Sequence, residues 1–127
     1  GDGGFGWNMQ ELATARKYAL GLVTVVFNDG HFGNVRTLQK LKFGATFGVE
    51  LQNPDFERLA GAFDIPFARV DAADALQAAL KNALAAGGPA LIEVRVGEMP
   101  SPWHLIRLQA MPGMEQNAPP NPLGPAG

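Results

Sequence analysis

Residues 22–30 read LVTVVFNDG, a short β-branched apolar run that breaks into an Asn-Asp-Gly turn. An almost continuous apolar stretch of this length is how a strand covered on both faces reads, and such strands belong to parallel sheets flanked by helices. Its carboxyl end delivers Asn28. Immediately upstream, residues 8–20 (NMQELATARKYAL) place Met9, Leu12, Ala13 and Ala19 at roughly helical spacing, with Asn8 able to cap the helix and Gly21 to end it. One helix and one strand between two loops form the crossover of a parallel sheet, which is right-handed almost without exception. The expected fold is therefore α/β: a three-layer parallel sheet flanked by helices, incomplete on its N-terminal side, with a Pro/Gly-rich C-terminal tail.

The loop at the other end of that crossover is Gly1-Asp2-Gly3. If it closes a preceding parallel strand, Asp2 and Asn28 share one edge of the sheet, on strands about 4.8 Å apart if adjacent. Open α/β sheets bind ligands at that edge. A carboxylate and an amide oxygen are hard donors suited to magnesium, which takes few protein ligands and completes its shell with phosphate oxygens. Gly3, Gly4 and Gly6 leave backbone amides accessible before a helix N-terminus, where an anion is favoured by free N–H groups and by the helix dipole. Gly-Asp-Gly or Asn-Asp-Gly alone is an ordinary turn; their order, and the helix and strand between them, point to a shared magnesium diphosphate site.

Downstream, residues 34–42 (NVRTLQKLK) predict a short helix with Val35, Leu38 and Leu41 along one side, followed by a loop-like stretch over 44–52. Asn53-Pro54 reads as a cap with proline at the first helical position, and Phe56, Leu59, Ala60 and Phe63 form the buried face of the helix it opens. A strand follows over 67–70. Asp71 and Asp74 resemble a capping box for an Ala-rich helix to Ala86, which Gly87 and Gly88 stop. Residues 90–96 (ALIEVRV) are the last strand, apolar first and alternating afterwards, as in a strand leaving the core. From residue 110 the sequence has five prolines and neither period, so 1–109 is expected to be the domain and 110–127 an extended or disordered tail.

Gly1-Asp2-Gly3-Gly4-Phe5, Asn8, Gln10 to Ala15 and Asn28-Asp29-Gly30 together resemble the motif of thiamine diphosphate-dependent enzymes of the acetolactate synthase and benzoylformate decarboxylase type. The resemblance continues through Phe32 to Arg36, Asn53 to Phe56, Leu59-Ala60 and Gly88 to Val94, and so covers residues 1 to about 105. It implies side-chain magnesium ligation by Asp2 and Asn28, with the Gly30 carbonyl as a third ligand. It also implies diphosphate contacts, mainly through backbone, from Gly1, Gly3, Gly4, His31 and Phe32. Asp29 stands where the family often has a second Asn, which leaves the ligand Asn28 intact. The cofactors implied are thiamine diphosphate and Mg2+, the substrate a 2-oxo acid, and the reaction a decarboxylation or carboligation with the cofactor as electron sink.

The same resemblance implies parts expected outside these 127 residues: a strand before Gly1, the segment that holds the aminopyrimidine, and a pyrimidine-binding domain or subunit that contributes the activating Glu. No catalytic residue is therefore assigned in this chain, and Glu11 is a solvated or capping residue. A homo-oligomer is expected. The alternative is a non-catalytic fragment or assembly module that keeps the scaffold without turnover.

Composition narrows the remaining classes. A formal charge of −2 with no basic cluster argues against a nucleic-acid footprint. The absence of cysteine excludes disulfides and thiolate metal sites and fits a cytoplasmic protein. The apolar run 19–27 is too short to span a bilayer. His31 could donate to a phosphate, although its backbone alone explains its place in the motif, and Arg36 could face an anion or form an ion pair. Phe5, Trp7, Phe27 and Phe32 read as core or interface groups, and His104 as a packing or surface residue.

Overall fold

A computed structural model describes residues 1–99. The predicted tail and His104 lie outside the described residues. The element order is α1 (Asp2–Phe5), α2 (Glu11–Lys17), β1 (Val23–Asn28), α3 (Gly33–Phe43), α4 (Phe56–Ala62), β2 (Phe67–Val70), α5 (Ala73–Ala86) and β3 (Ala90–Arg95). The three strands form one parallel sheet in the order β1-β3-β2, so the last strand in sequence is the middle one. Val26 and Arg69 both stand in register with Glu93, and Val23 pairs with Ala90. The expected parallel α/β sheet flanked by helices is the fold observed.

Two right-handed crossovers leave β1 and β2 in opposite directions, which puts α4 on one face of the sheet and α5 on the other. On the α4 face, Leu12, Val26, Phe56, Ala60, Ile65 and Leu91 make the buried cluster, with Phe5 packed edge-on against Phe56 at 5.6 Å between ring centres. Helix α5 lies across all three strands and covers Ala90, Ile92 and Val94, which are buried. Burying each such aliphatic side chain contributes roughly 2 kcal/mol, so β3, apolar on both faces, anchors the sheet.

Several local expectations are corrected. The first helix does not run from Asn8 to Leu20: residues 7–10 are turns, and α2 ends at Lys17. Its stop is Ala19, in the left-handed region at φ 46°, with the Leu20 N–H donating to the Ala15 carbonyl. Gly21 instead lies where a Cβ would come within 3.3 Å of the Gly87 carbonyl oxygen. Asp71 does not cap α5; the N-cap is Ala72, without a side-chain bond, and Asp74 turns to the Ala75 N–H. Gly87 does end α5, at φ 71°, a conformation that costs glycine little. The cap of α4 is Asp55 rather than Asn53, accepting from the N–H groups of Glu57 at 2.9 Å and Arg58 at 3.2 Å. Residues 44–52 carry no helix or strand, yet Val49 is buried. Of the four aromatic residues read as core or interface groups, Phe5 packs against the core, whereas Trp7, Phe27 and Phe32 are exposed among the described residues. Glu11 opens α2 and accepts from the Thr14 hydroxyl at 3.2 Å. No helix of the described residues is long and apolar enough to cross a membrane.

The Asp55 carboxyl is held below its ordinary 3.8, first by the Arg58 N–H, then by the Glu57 N–H and the Arg69 charge, against an opposing effect of desolvation. A depressed folded-state value adds stability above about pH 3.8 that is lost as the pH falls through that value. Asp55→Ala is expected to lower the melting temperature at neutral pH, with the gap to the parent protein closing below pH 3.8 in thermal scans from pH 7 to 2.5.

Candidate cofactor site at the carboxyl edge of the sheet

The turn after β1 folds back on itself because Gly30 takes φ 70°, which residues with a Cβ resist. This brings the Gly30 N–H to 3.1 Å from Asp2 Oδ2 and to 3.1 Å from Asn28 Oδ1. Two oxygens, one from the first residue of α1 and one from the last residue of β1, thus converge on one point at the carboxyl edge of the sheet. Asp2 is 3% exposed, and its Oδ1 has no donor among the described residues. The Gly30 carbonyl accepts from the Leu51 N–H at 2.8 Å, which leaves one of its two lone pairs free.

A third segment, a loop, enters the same point. Asn53 Nδ2 donates to Asp2 Oδ2 at 2.6 Å and to Asn28 Oδ1 at 3.1 Å. The segment 44–52 carries it there, held by the Phe32 N–H on the Val49 carbonyl at 2.8 Å and by an isolated antiparallel bridge between His31 and Glu50. Beneath the site, Asn28 Nδ2 donates to Glu93 Oε1 at 2.8 Å. Glu93 is 3% exposed. Its other oxygen accepts from Arg69 Nε at 2.6 Å, and Arg69 reaches on to Asp55 and Glu57. The hydrogen bond to Glu93 pushes the Arg69 guanidinium further up from its ordinary value, against desolvation, with the charges of Glu93, Asp55 and Glu57 adding to it.

Beside the converging oxygens lies a pocket of about 450 Å³, whose lining includes Gly1, Gly3, Gly4, His31, Phe32 and Asn34. Gly3 and Gly4 are not loop residues, as expected, but belong to α1, whose first N–H groups have no acceptor within the helix. The first turn of α3 also borders the pocket, so the starts of two helices lie beside it, a setting that suits an anion. A Cβ on Gly4 would meet nothing within 4 Å, whereas one on Gly3 would come within 2.7 Å of the Phe32 ring. Asp29 Oδ1 accepts from the His31 N–H at 3.1 Å. His31 Nδ1 lies 2.6 Å from the Asp29 carbonyl; a carbonyl only accepts, so Nδ1 carries a proton. Arg36 turns away, pairing at 3.8 Å with Glu98, which Lys40 also binds at 3.1 Å. Glu98 is held below its ordinary value, chiefly by the Lys40 hydrogen bond and then by the Arg36 charge. Among the described residues no three His, Cys, Asp or Glu side chains cluster to hold a metal. A set of one carboxylate and one amide oxygen beside an anion pocket still fits a cation that takes most of its ligands from phosphate and water.

Residues 1–94 match the family described as thiamine pyrophosphate enzyme, C-terminal TPP binding domain. The chain belongs to that family. Acetolactate synthase isozyme 2 large subunit of Escherichia coli (strain K12) is 36% identical over 108 residues, 84% of this chain and 20% of that protein. Acetolactate synthase of Arthrospira platensis is 34% identical over 99 residues, 76% of this chain and 17% of that protein. The chain thus spans about a fifth of the length of these curated relatives. Benzoylformate decarboxylase from Polynucleobacter necessarius has the same fold, with a TM-score of 0.72 at 24% identity over 78% of this chain and 19% of that one. The cofactor of this family's C-terminal domain is thiamine diphosphate.

In this thiamine pyrophosphate domain, Asp2, Asn28 and Gly30 lie together, and Gly1, Gly3, Gly4, His31 and Phe32 border one pocket beside them. Sequence reasoning missed Asn53, Glu93 and Arg69. Asn53 was hidden because Asn-Pro before an apolar periodic stretch also signals a helix cap. The signal for Glu93 was a carboxylate inside the apolar run ALIEV, since such a group survives burial only if charged or polar donors meet it.

Removing the Arg69 donor leaves the buried Glu93 charge held by Asn28 alone, so Arg69→Met is expected to destabilise the domain by about 3 kcal/mol in urea denaturation. Gly3→Ala is expected to cost about 1–3 kcal/mol through overpacking against Phe32, while Gly4→Ala stays within about 0.5 kcal/mol of the parent.

Proposed function

We propose that this chain anchors the diphosphate of thiamine diphosphate through Mg2+ in an acetolactate synthase-like 2-oxo acid decarboxylase or carboligase. The observation that carries this is the convergence of Asp2 Oδ2 and Asn28 Oδ1 on a single point, each 3.1 Å from the Gly30 N–H. A divalent cation replacing that donor would meet a carboxylate and an amide oxygen, with the Gly30 carbonyl as a third protein ligand. The backbone of Gly1, Gly3, Gly4, His31 and Phe32 would hold the diphosphate in the adjoining pocket. When bound, thiamine diphosphate supplies the electron sink for breaking a bond at a carbonyl carbon. The residues of this chain bind and orient; none of them is assigned a proton transfer. The activating carboxylate belongs to a pyrimidine-binding domain or subunit, and the working assembly is a homo-oligomer.

A second reading, a non-catalytic scaffold, is favoured by one observation: the Gly30 N–H and the Asn53 amide already satisfy the two oxygens from within the chain. Calorimetric titration of thiamine diphosphate into the chain separates the two. Binding is expected with Mg2+ and not with a chelator. In Asp2→Ala it should weaken by more than the 100-fold or so that loss of a supporting outer residue produces. Heat-silent titrations under every condition would favour the scaffold. Pyruvate and benzoylformate are expected to remain intact with the purified chain, and their decarboxylation would overturn the division of labour proposed.

A further inference from the structure

We infer that Glu93, held by Arg69, is a positioning residue that decides which end of the Asn28 amide faces the site. The inference rests on the Mg2+ role proposed for Asn28. An amide has an acceptor end and a donor end of nearly equal size, and only the acceptor end ligates a cation. In the structure Oδ1 faces Asp2 and Gly30, while Nδ2 donates to Glu93 Oε1 at 2.8 Å. The partners on the site side, the Gly30 N–H and Asn53 Nδ2, are donors, and a cation arriving between the oxygens would displace them. Among the described residues Glu93 is then the partner of Asn28 that stays.

The charge state of that partner matters because Glu93 is asked to accept twice. Arg69 Nε donates to its Oε2 at 2.6 Å and Asn28 Nδ2 to its Oε1. A carboxylate accepts at both oxygens; a glutamine at the same place has one oxygen and one NH2. The guanidinium, being charged and always a donor, claims the oxygen. The NH2 is left facing Asn28, which can satisfy it only by turning its own oxygen inward and its NH2 toward the site. Glu93→Gln is therefore a reversal of polarity along a chain of three residues, with little change in volume.

The test is the side-chain NH2 signal of Asn28 in nuclear magnetic resonance spectra of the whole chain, assigned by its loss in Asn28→Asp, together with Mg2+-dependent binding of thiamine diphosphate. In the parent protein without metal, the NH2 protons are expected to show Overhauser contacts to the Glu93 γ-methylene. In Glu93→Gln those contacts are expected to pass to the Gly30 amide proton, and apparent Mg2+ affinity to fall about 10- to 100-fold. Asn28→Asp combined with Glu93→Gln is expected to recover most of that affinity, because a carboxylate offers an oxygen on both sides and cannot be reversed. Contacts from the Asn28 NH2 to Gly30 in the parent protein, or contacts unchanged in Glu93→Gln, would overturn the inference, as would a loss of affinity that the double variant leaves in place. Should Glu93→Gln fail to fold, the parent spectrum decides alone. The spectra need no cofactor, so reorientation of Asn28 without any Mg2+-dependent binding would uphold the orientation role and count against the anchoring function instead.

Discussion

A carboxylate in the middle of the central strand sets the terms for this domain. Glu93 has apolar neighbours in sequence and is almost entirely removed from water, where an unpaired charge would cost several kcal/mol. The chain answers with donors from both sides: Asn28 at the end of β1 and Arg69 in β2. Because β3 lies between those strands, satisfying one buried group ties all three together. Arg69 carries the connection outward to Asp55, the cap of α4, and Asn28 carries it to Asp2. The polar path runs from a helix cap, under the sheet edge, to the oxygens of the proposed cation site.

Those oxygens are few, and in the proposed role the chemistry of the partner would explain why that suffices. A diphosphate brings several negative charges of its own to the cation. Each added protein carboxylate would strengthen the hold on the metal and repel the anion it is meant to retain, by an amount that grows as the site is closed from water. In the proposed site one carboxylate and one neutral amide oxygen would balance these demands. The adjoining pocket would then contribute backbone N–H groups, whose dipoles favour an anion without any added side chain. In the proposed role Asn28 would act through the oxygen end of its amide alone, and an amide has to be told which way to face.

Much of the frame was legible in the sequence. LVTVVFNDG announced a strand that ends in an oxygen donor, and the helix before it made the sheet parallel, as found; the strand is less covered than its apolar run suggested, with Val26 buried and Phe27 exposed. The three strands are where the apolar runs lie. What misled was punctuation that serves more than one purpose. Gly21 looked like a helix stop, yet the left-handed residue is Ala19; Asp71 and Asp74 had capping spacing, yet α5 starts from Ala72 without a side-chain bond. Asn53-Pro54 is the instructive case. Proline does pin the chain ahead of α4, but Asp55 takes the cap, which frees Asn53 to reach Asp2, 51 residues earlier. Local propensity cannot express a contact of that range. Glu93 failed differently, since alternation after an apolar start suggested an emerging strand, and only the location of Arg69 in the next strand shows why the charge stays inside.

The strand order carries a consequence for how the domain comes into being. Neither β1 nor β2 has the other as a neighbour; each is hydrogen-bonded to β3, the last described element. Until residues 90–95 are available, β1 and β2 have no ladder to join among the described residues, and the cluster around Val26 and Phe56 lacks Leu91. Sheet, core and oxygen site then close in one late event over long loops, a slow search by the usual relation between contact order and rate. For that interval the apolar runs of β1 and β2 are open templates for other chains.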